Sequence, residues 1–319
     1  MNPRAVHQRT PLDRVAIAYN PQKFIAGLCI PKVMVPKLSD TFYVFGAEYR
    51  STDSAKYEPR ALPQEEDYAT STSPFVCEHY GKRHLILEDE YKNADSAMDP
   101  EQDATELLSQ KVKLAREIRA ASLLFTAGNY PTGNKATLSG TDQFSHASST
   151  PIKTIKDACN DVVARGGMRP NVAVMNMDVF LALEEHTTVV GRLQYTDPFV
   201  RIEKVAALLG LSKIFVGEAI QNTANEGLTE VIANIWTDSV SLYYVPPQIL
   251  SAQGEEAPAT LIGKKVPTFC AAFTYMDMQV DTLPDSLRPG KNNWLWVRHT
   301  ADEVITGSSF GYLLSDCLA

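Results

Sequence analysis

Three stretches have residue types and spacings that chemistry could use. Gly128-Asn129-Tyr130-Pro131-Thr132-Gly133-Asn134-Lys135 approaches the GxxxxGK[ST] loop, whose backbone N–H groups cradle phosphates while a lysine reaches them. Asn134 separates the second glycine from the lysine, and a helical pattern precedes the loop where the motif needs a strand, so the stretch reads as a turn-rich loop. Gly307-Ser308-Ser309-Phe310-Gly311 matches GxSxG, the elbow that presents a nucleophilic serine between a strand and a helix. Only eight residues follow and none is histidine, so no downstream base completes a triad; the glycines read as the approach to a last strand. His79 and His84 flank Gly81, with Glu78 and Glu88 close by, which on a hairpin would gather two imidazoles and two carboxylates. No cysteine or HExxH pattern joins them, so they read as exposed hairpin residues.

The remaining reactive types are as plain. His186 follows Glu184-Glu185 at the end of a short helical pattern, where an imidazole complements the negative end of the helix dipole. Glu65-Glu66 lies in an irregular acidic stretch with no base nearby. Five cysteines, Cys29, Cys77, Cys159, Cys270 and Cys317, are odd in number and widely spaced, which suits buried small hydrophobes better than a metal site or a disulfide framework. No catalytic, cofactor-binding or metal-binding residue is assigned, and an enzyme is not expected.

Composition narrows the class. At 319 residues, 44% apolar, 9% aromatic and 21% charged, the chain is neither disordered, collagenous nor a coiled coil. Its apolar runs fall short of the ~20 residues that cross a bilayer, and Met1-Asn2-Pro3-Arg4 does not open a signal peptide, so synthesis in a cytoplasm-like compartment is expected, with no membrane partner. The net charge of −8 is unevenly spread. Residues 1–37 carry Arg4, Arg9, Arg14, Lys23, Lys32 and Lys37 against the single acid Asp13, a balance of +5. Residues 53–106 carry fourteen acids against five bases, a balance of −9.

Prolines at 3, 11, 21, 31 and 36 keep the first segment extended. Thr41 to Tyr49 has strand composition, and Phe75 to Tyr80 with His84 to Glu88 predicts two more strands about a turn at Gly81. Between them, Arg50 to Ser73 is polar, acidic and aperiodic, a length of loop that reaches outward from a domain. Asp99-Pro100-Glu101-Gln102 predicts the start of a helix of ~25 residues, with Ala104, Leu107, Leu108, Val112, Ala115, Ile118, Ala121 and Phe125 on its apolar stripe. From Thr150-Pro151 onward helices and strands alternate in an α+β pattern: a helix to Gly166-Gly167, a strand at 172–175, a helix at 178–185, a helix capped by Asp197-Pro198 and a strand at 214–216. Ala233 to Trp236 and Ser239 to Val245 predict a strand pair. Thr268 to Thr282, Trp294 to Asp302 and Ser309 to Cys317 predict long strands that run beside the long helix.

This order, with Ile30-Pro31-Lys32-Val33-Met34-Val35 before the first strand, Arg169-Pro170-Asn171-Val172-Ala173-Val174-Met175 after the capped helix, and Leu242-Tyr243-Tyr244-Val245-Pro246 late in the chain, resembles the major capsid proteins of tailed bacteriophages with the HK97 fold. The resemblance implies an α+β fold with an N-arm (1–38), an E-loop (39–95), a peripheral P-domain (96–149, spine helix about 99–127, with strands at 266–305), an axial A-domain (150–265) and a C-terminal strand (306–319) returning to it. It further implies pentamers and hexamers in an icosahedral virion shell around double-stranded DNA, held non-specifically on the inner surface, and assembled in the host cytoplasm. Because the spine helix starts near Asp99, no fused scaffold is expected, and a separate scaffolding protein, a portal and decoration or cement proteins are the implied partners. Within that frame Arg4, Arg9, Arg14, Glu65, Glu66 and Asp67 become the candidate inter-subunit contacts. An encapsulin-like compartment shell and a soluble α+β enzyme are the alternatives.

Overall fold

The computed structural model describes residues 7–8, 23–44, 56, 62, 71–93, 99–193, 202–225, 227–247 and 267–319. In chain order these form β1 (His7–Gln8), α1 (Ala26–Cys29), β2 (Lys32–Met34), β3 (Ser39–Val44), β4 (Ser71–Val76), β5 (Glu78–Ile86), α2 (Glu88–Asn93) and α3 (Pro100–Phe125). Then come β6 (Lys135–Thr137), α4 (Pro151–Gly166), β7 (Val172–Asn176), α5 (Met177–Glu185), α6 (Thr187–Leu193), α7 (Ile202–Leu209) and β8 (Lys213–Gly217). β9 (Ile220–Asn222), β10 (Ile232–Asn234), β11 (Val240–Tyr243), β12 (Cys270–Pro284), β13 (Asn293–Ile305) and β14 (Gly311–Ser315) complete the order.

Helix α3 is set by its first residues. The Asp99 carboxylate accepts from Glu101 N at 3.0 Å and Pro100 takes the first helical position, where a missing N–H costs nothing. Gln102 does not close a capping box; its amide donates to Glu106 instead. The 26 residues make a rod of ~39 Å. Its buried face holds Ala104, Leu108, Val112, Ala120, Ala121 and Leu124, whereas Leu107 and Ile118, placed on the stripe by sequence, are 48% and 37% exposed. Polar residues occupy their places. Thr105 and Ser109 are buried because their hydroxyls donate to the carbonyls of Glu101 and Thr105, and Glu117 is buried with partners described below.

The rod lies on a sheet of order β1-β12-β13-β5, with β2 also on the outer edge of β12. β12 and β13 pair antiparallel from Cys270–Ile305 to Pro284–Asn293, with irregularities between Thr274 and Gln279. Ile86, Val280, Leu295 and Val297 pack against Ala104, Leu108 and Val112, so the expected long strands do flank the long helix. Gly81 is no turn. β5 runs unbroken from Glu78 to Ile86, and a Cβ at Gly81 would sit 2.9 Å from the Val297 carbonyl, so the glycine permits close strand approach. His79 and His84, five residues apart on one strand, therefore point to opposite faces and form no cluster.

A second sheet, of order β6-β14-β11-β7-β8, is packed on both sides. Val172 and Val174 of β7 face Ala26, Ala121, Leu124 and Phe269, while Ala173 and Met175 face Ile155, Val162, Leu183 and Val205 of the helical layer. All five residues of β7 are buried, as a strand covered on both faces requires. Gly167 ends α4 in the left-handed region, φ 72°, its N–H donating to Val163 O. The expected pairing of 233–236 with 239–245 does not occur: β10 pairs β9, and β11 pairs β14 and β7. Fully buried β11 needs two buried neighbours, which exposed β10 cannot supply, and Trp236 between them turns into the core. The β3–β4 ribbon brings Phe42 and Phe75 onto Phe273. Residues 45–49 of the expected strand and the expected helix cap at Asp197-Pro198 lie outside the described residues.

Candidate functional site

The groups with hydrogen-bonding and charge capacity converge where residues 23–35 cross α3 and β12. Glu117, 0% exposed, accepts from Ile25 N at 3.0 Å, Ala26 N at 2.8 Å and Trp236 Nε1 at 2.8 Å. Burial pushes its carboxyl up, against the pull of these three donors and of Arg116. One side chain thus ties the strap to the long helix and to the strand layer beyond. Further along, Tyr243 Oη donates to Cys29 O at 2.8 Å, Ala272 N to Pro31 O at 2.8 Å and Val35 N to Thr274 O at 2.9 Å, with β2 parallel to β12 between them.

Beside this anchor lies an ion cluster. Arg119 forks onto Glu303 with two bonds of 3.0 Å and stacks 3.6 Å over the Tyr80 ring; Arg116 Nε stands 3.7 Å from the same carboxylate. Lys32 Nζ meets Asp277 Oδ2 at 2.5 Å. His299, 1% exposed, has Nδ1 3.6 Å from Asp277 and, among the described residues, no hydrogen-bond partner on either ring nitrogen. Burial, reinforced by Arg116, pushes its pKa down to about 4, so the ring is neutral. Desolvation likewise lowers Lys113 to about 8. Burial alone would raise Asp277, but Lys32 and His299 bring it below the ordinary carboxylate value. These charges hold helix, sheet and strap together.

The residues singled out by sequence fall elsewhere. Arg4, Arg9, Arg14, Glu65, Glu66 and Asp67 lie outside the described residues. The loop from Gly128 to Lys135 folds into short 3-10 turns, Lys135 Nζ donating to Ala127 O and Asn134 Nδ2 to Gly311 O. Ser309 sits in a 3-10 turn that leads into β14, where a nucleophile elbow would need a helix. His186 is buried between α5 and α6, its ring bonded to Ser149 Oγ at 3.1 Å and Thr188 Oγ1 at 2.8 Å, a linking role more than a dipole one. All five cysteines are free and buried. Among the described residues there is no group of three or more His, Cys, Asp or Glu that could hold a metal ion, and no helix is long and apolar enough to cross a membrane. Glu117 escaped the sequence reading, although the 3.6-residue period signals it: position 117 shares a face with Ala120, Ala121 and Leu124.

No family model matches the chain. It is 29% identical to the major capsid protein of Pseudomonas phage JBD67 over 237 residues, 73% of this chain and 75% of that protein. With the major capsid protein of Burkholderia phage BcepMu it shares 26% identity over 242 residues, 74% of this chain and 76% of that one. Among solved structures, a phage-related protein from Bordetella bronchiseptica RB50 superposes with TM-score 0.73 at 19% identity, covering 97% of each chain. The capsid of cyanophage P-SCSP1u gives 0.57 at 12% identity, covering 90% of this chain and 86% of that one. A virus-like particle from Pyrococcus furiosus gives 0.52 at 10%, covering 96% of each. Along nearly its whole length the chain shares the HK97-type α+β fold of phage capsids, and in sequence it is similar to two phage major capsid proteins.

Proposed function

We propose that the chain self-assembles as pentamers and hexamers into the icosahedral shell of a tailed phage, enclosing double-stranded DNA. The observation that carries this reading is the joint likeness, in sequence to two phage major capsid proteins and in fold to phage capsids. In this reading residues 1–38 are the N-arm and 39–95 the E-loop. Residues 96–149 and 266–305 form the P-domain, 150–265 the A-domain, and 306–319 its returning strand. The role is structural, the product is the virion capsid, and assembly takes place in the host cytoplasm. A separate scaffolding protein, a portal and decoration proteins are its helpers, and DNA is met through non-specific inner-surface contacts. The basic arm (Arg4, Arg9, Arg14) and acidic loop (Glu65, Glu66, Asp67) meet complementary surfaces on neighbours, which sets register and makes assembly salt-sensitive. The phage relatives favour a genome over the protein cargo of a compartment shell.

Expression of the chain alone and with its scaffolding partner, followed by electron microscopy, tests the reading. Shells or ring capsomers are expected. A uniform small globule under both conditions overturns it, and shells that fill with one enzyme in place of DNA make it a compartment.

A further inference from the structure

His299 is a buried base set between the two residues that meet the strap. Leu295 and Val297 of β13 pack against α3, and His299, two residues further on, shares their face with Tyr80 paired beside it on β5. Asp277 Oδ1 lies 3.6 Å from its Nδ1, and Oδ2 of the same carboxylate takes Lys32 Nζ of β2 at 2.5 Å. Arg116 of α3 stands near the ring, its Nη2 hidden without an acceptor among the described residues. Its Nη1 lies 3.6 Å from where a Cβ at Gly27 of α1 would sit. The other charges here are Lys113, beside Asp277 and Arg116, and Arg119, which holds Glu303 of β13. The next carboxylate along α3, Glu117, is taken up by the strap and Trp236. Lys32, Lys113, Arg116 and Arg119 thus outnumber Asp277 and Glu303, and a further positive charge is opposed.

We propose that His299 is an acid trigger for the strap: on taking a proton its ring draws Asp277 from Lys32 and presses on Arg116, and β2 lifts off the edge of β12 while α1 stays tied to Glu117. A buried imidazolium cannot turn to water and must keep its counter-ion, whereas the Lys32 side chain is 23% exposed and can be hydrated where it stands. Asp277 therefore follows the ring. It has room to do so because the pairing of β12 with β13 is irregular between Thr274 and Gln279. β2 is three residues long and pairs with one strand among the described residues, so little ladder holds it once the ion pair goes. The bonds from Ile25 N and Ala26 N to Glu117 do not involve the ring and hold the other end. Burial keeps the closed ring neutral, its pKa down at about 4, and opening lets that value rise toward 6.5. Acid therefore favours the open strap between these values and has no effect through this ring above them.

Hydrogen exchange on the unassembled full chain, read by mass spectrometry at about pH 7 and about pH 4.5 and corrected for the intrinsic pH dependence of amide exchange, tests this independently of the shell-forming reading. Peptides covering 32–35 are expected to lose protection by about tenfold or more in acid, while those covering 25–29 and β7 keep theirs. In His299→Gln, which has no titratable ring, the acid loss at 32–35 is expected to disappear. Should that variant fail to fold, Lys32→Met takes its place: the ion pair is then missing at every pH, and 32–35 are expected to be open already at neutral pH with little further change in acid. Equal protection of 32–35 at the two pH values overturns the proposal. So does an acid loss that persists in His299→Gln or is undiminished in Lys32→Met, since the trigger would then lie elsewhere. An acid loss that spreads evenly to β7 overturns it too, because the whole subunit would then be unfolding.

Discussion

The indole N–H of Trp236 donates to Glu117 Oε1 at 2.8 Å in an interior that excludes solvent from both side chains. The same carboxylate takes the N–H groups of Ile25 and Ala26, so three segments distant in sequence share one acceptor. Such a node contributes little net free energy while intact and costs a great deal when broken, because the donors left behind cannot turn to water.

Replacing the acceptor exposes that asymmetry. Glu117→Leu leaves three buried donors unpaired and is expected to destabilise the unassembled subunit by about 3–5 kcal/mol. Trp236→Phe removes a single donor and leaves the carboxylate its two backbone partners, at a cost of about 1–2 kcal/mol. Urea unfolding followed by tryptophan fluorescence or circular dichroism gives both values; equal effects would show that Glu117 is not the shared acceptor.

His299 gives the fold an acid-sensitive term. Its folded pKa of about 4 lies below the ordinary 6.5, so between these values the unfolded chain binds a proton that the folded chain refuses. Its contribution is fully present above the higher value and is lost as pH falls toward the lower, to a limit on the order of 3 kcal/mol. Asp277, lowered, gives up its contribution only as pH falls through its own folded value below 3.8, and Glu117, raised, contributes the opposite slope. The measurement is therefore the difference between the pH–stability profiles of the native chain and of His299→Gln, which is expected to change between pH 6.5 and 4 and to be flat above.

Gly81 separates a turn from a strand. In a turn Gly81→Asn is mild, since asparagine tolerates left-handed backbone. On β5 the new Cβ meets the Val297 carbonyl at 2.9 Å, and a loss of about 1–2 kcal/mol with faster amide exchange along β5 and β13 is expected.

Two adjacent leucines on α3 should differ sharply. Leu108→Ala opens a cavity in the helix–sheet core and is expected to cost about 2–5 kcal/mol, whereas Leu107→Ala, half exposed, should change subunit stability by less than about 1 kcal/mol. Thermal melts of the two variants side by side check the orientation of the helix.

Much of this protein is determined by its sequence alone. Asp99-Pro100 starts α3, Gly167 ends α4, and β7 is read off Val172 to Met175, because caps, left-handed glycines and buried apolar runs act within a few residues of chain. The order of elements was enough to suggest the capsid fold, and the failed catalytic spacings were visible as such, since a motif's context lies in its neighbours. Only the tertiary structure decided the pairings and the buried polar groups. Gly81 in a strand depends on how near Val297 comes, β11 beside β14 and β7 depends on which positions are covered on both faces, and the burial of Glu117 depends on donors 92 and 119 residues away. A carboxylate on a helix is ordinarily a solvated charge, and it becomes an anchor only when distant chain delivers the hydrogen bonds that make its burial tolerable.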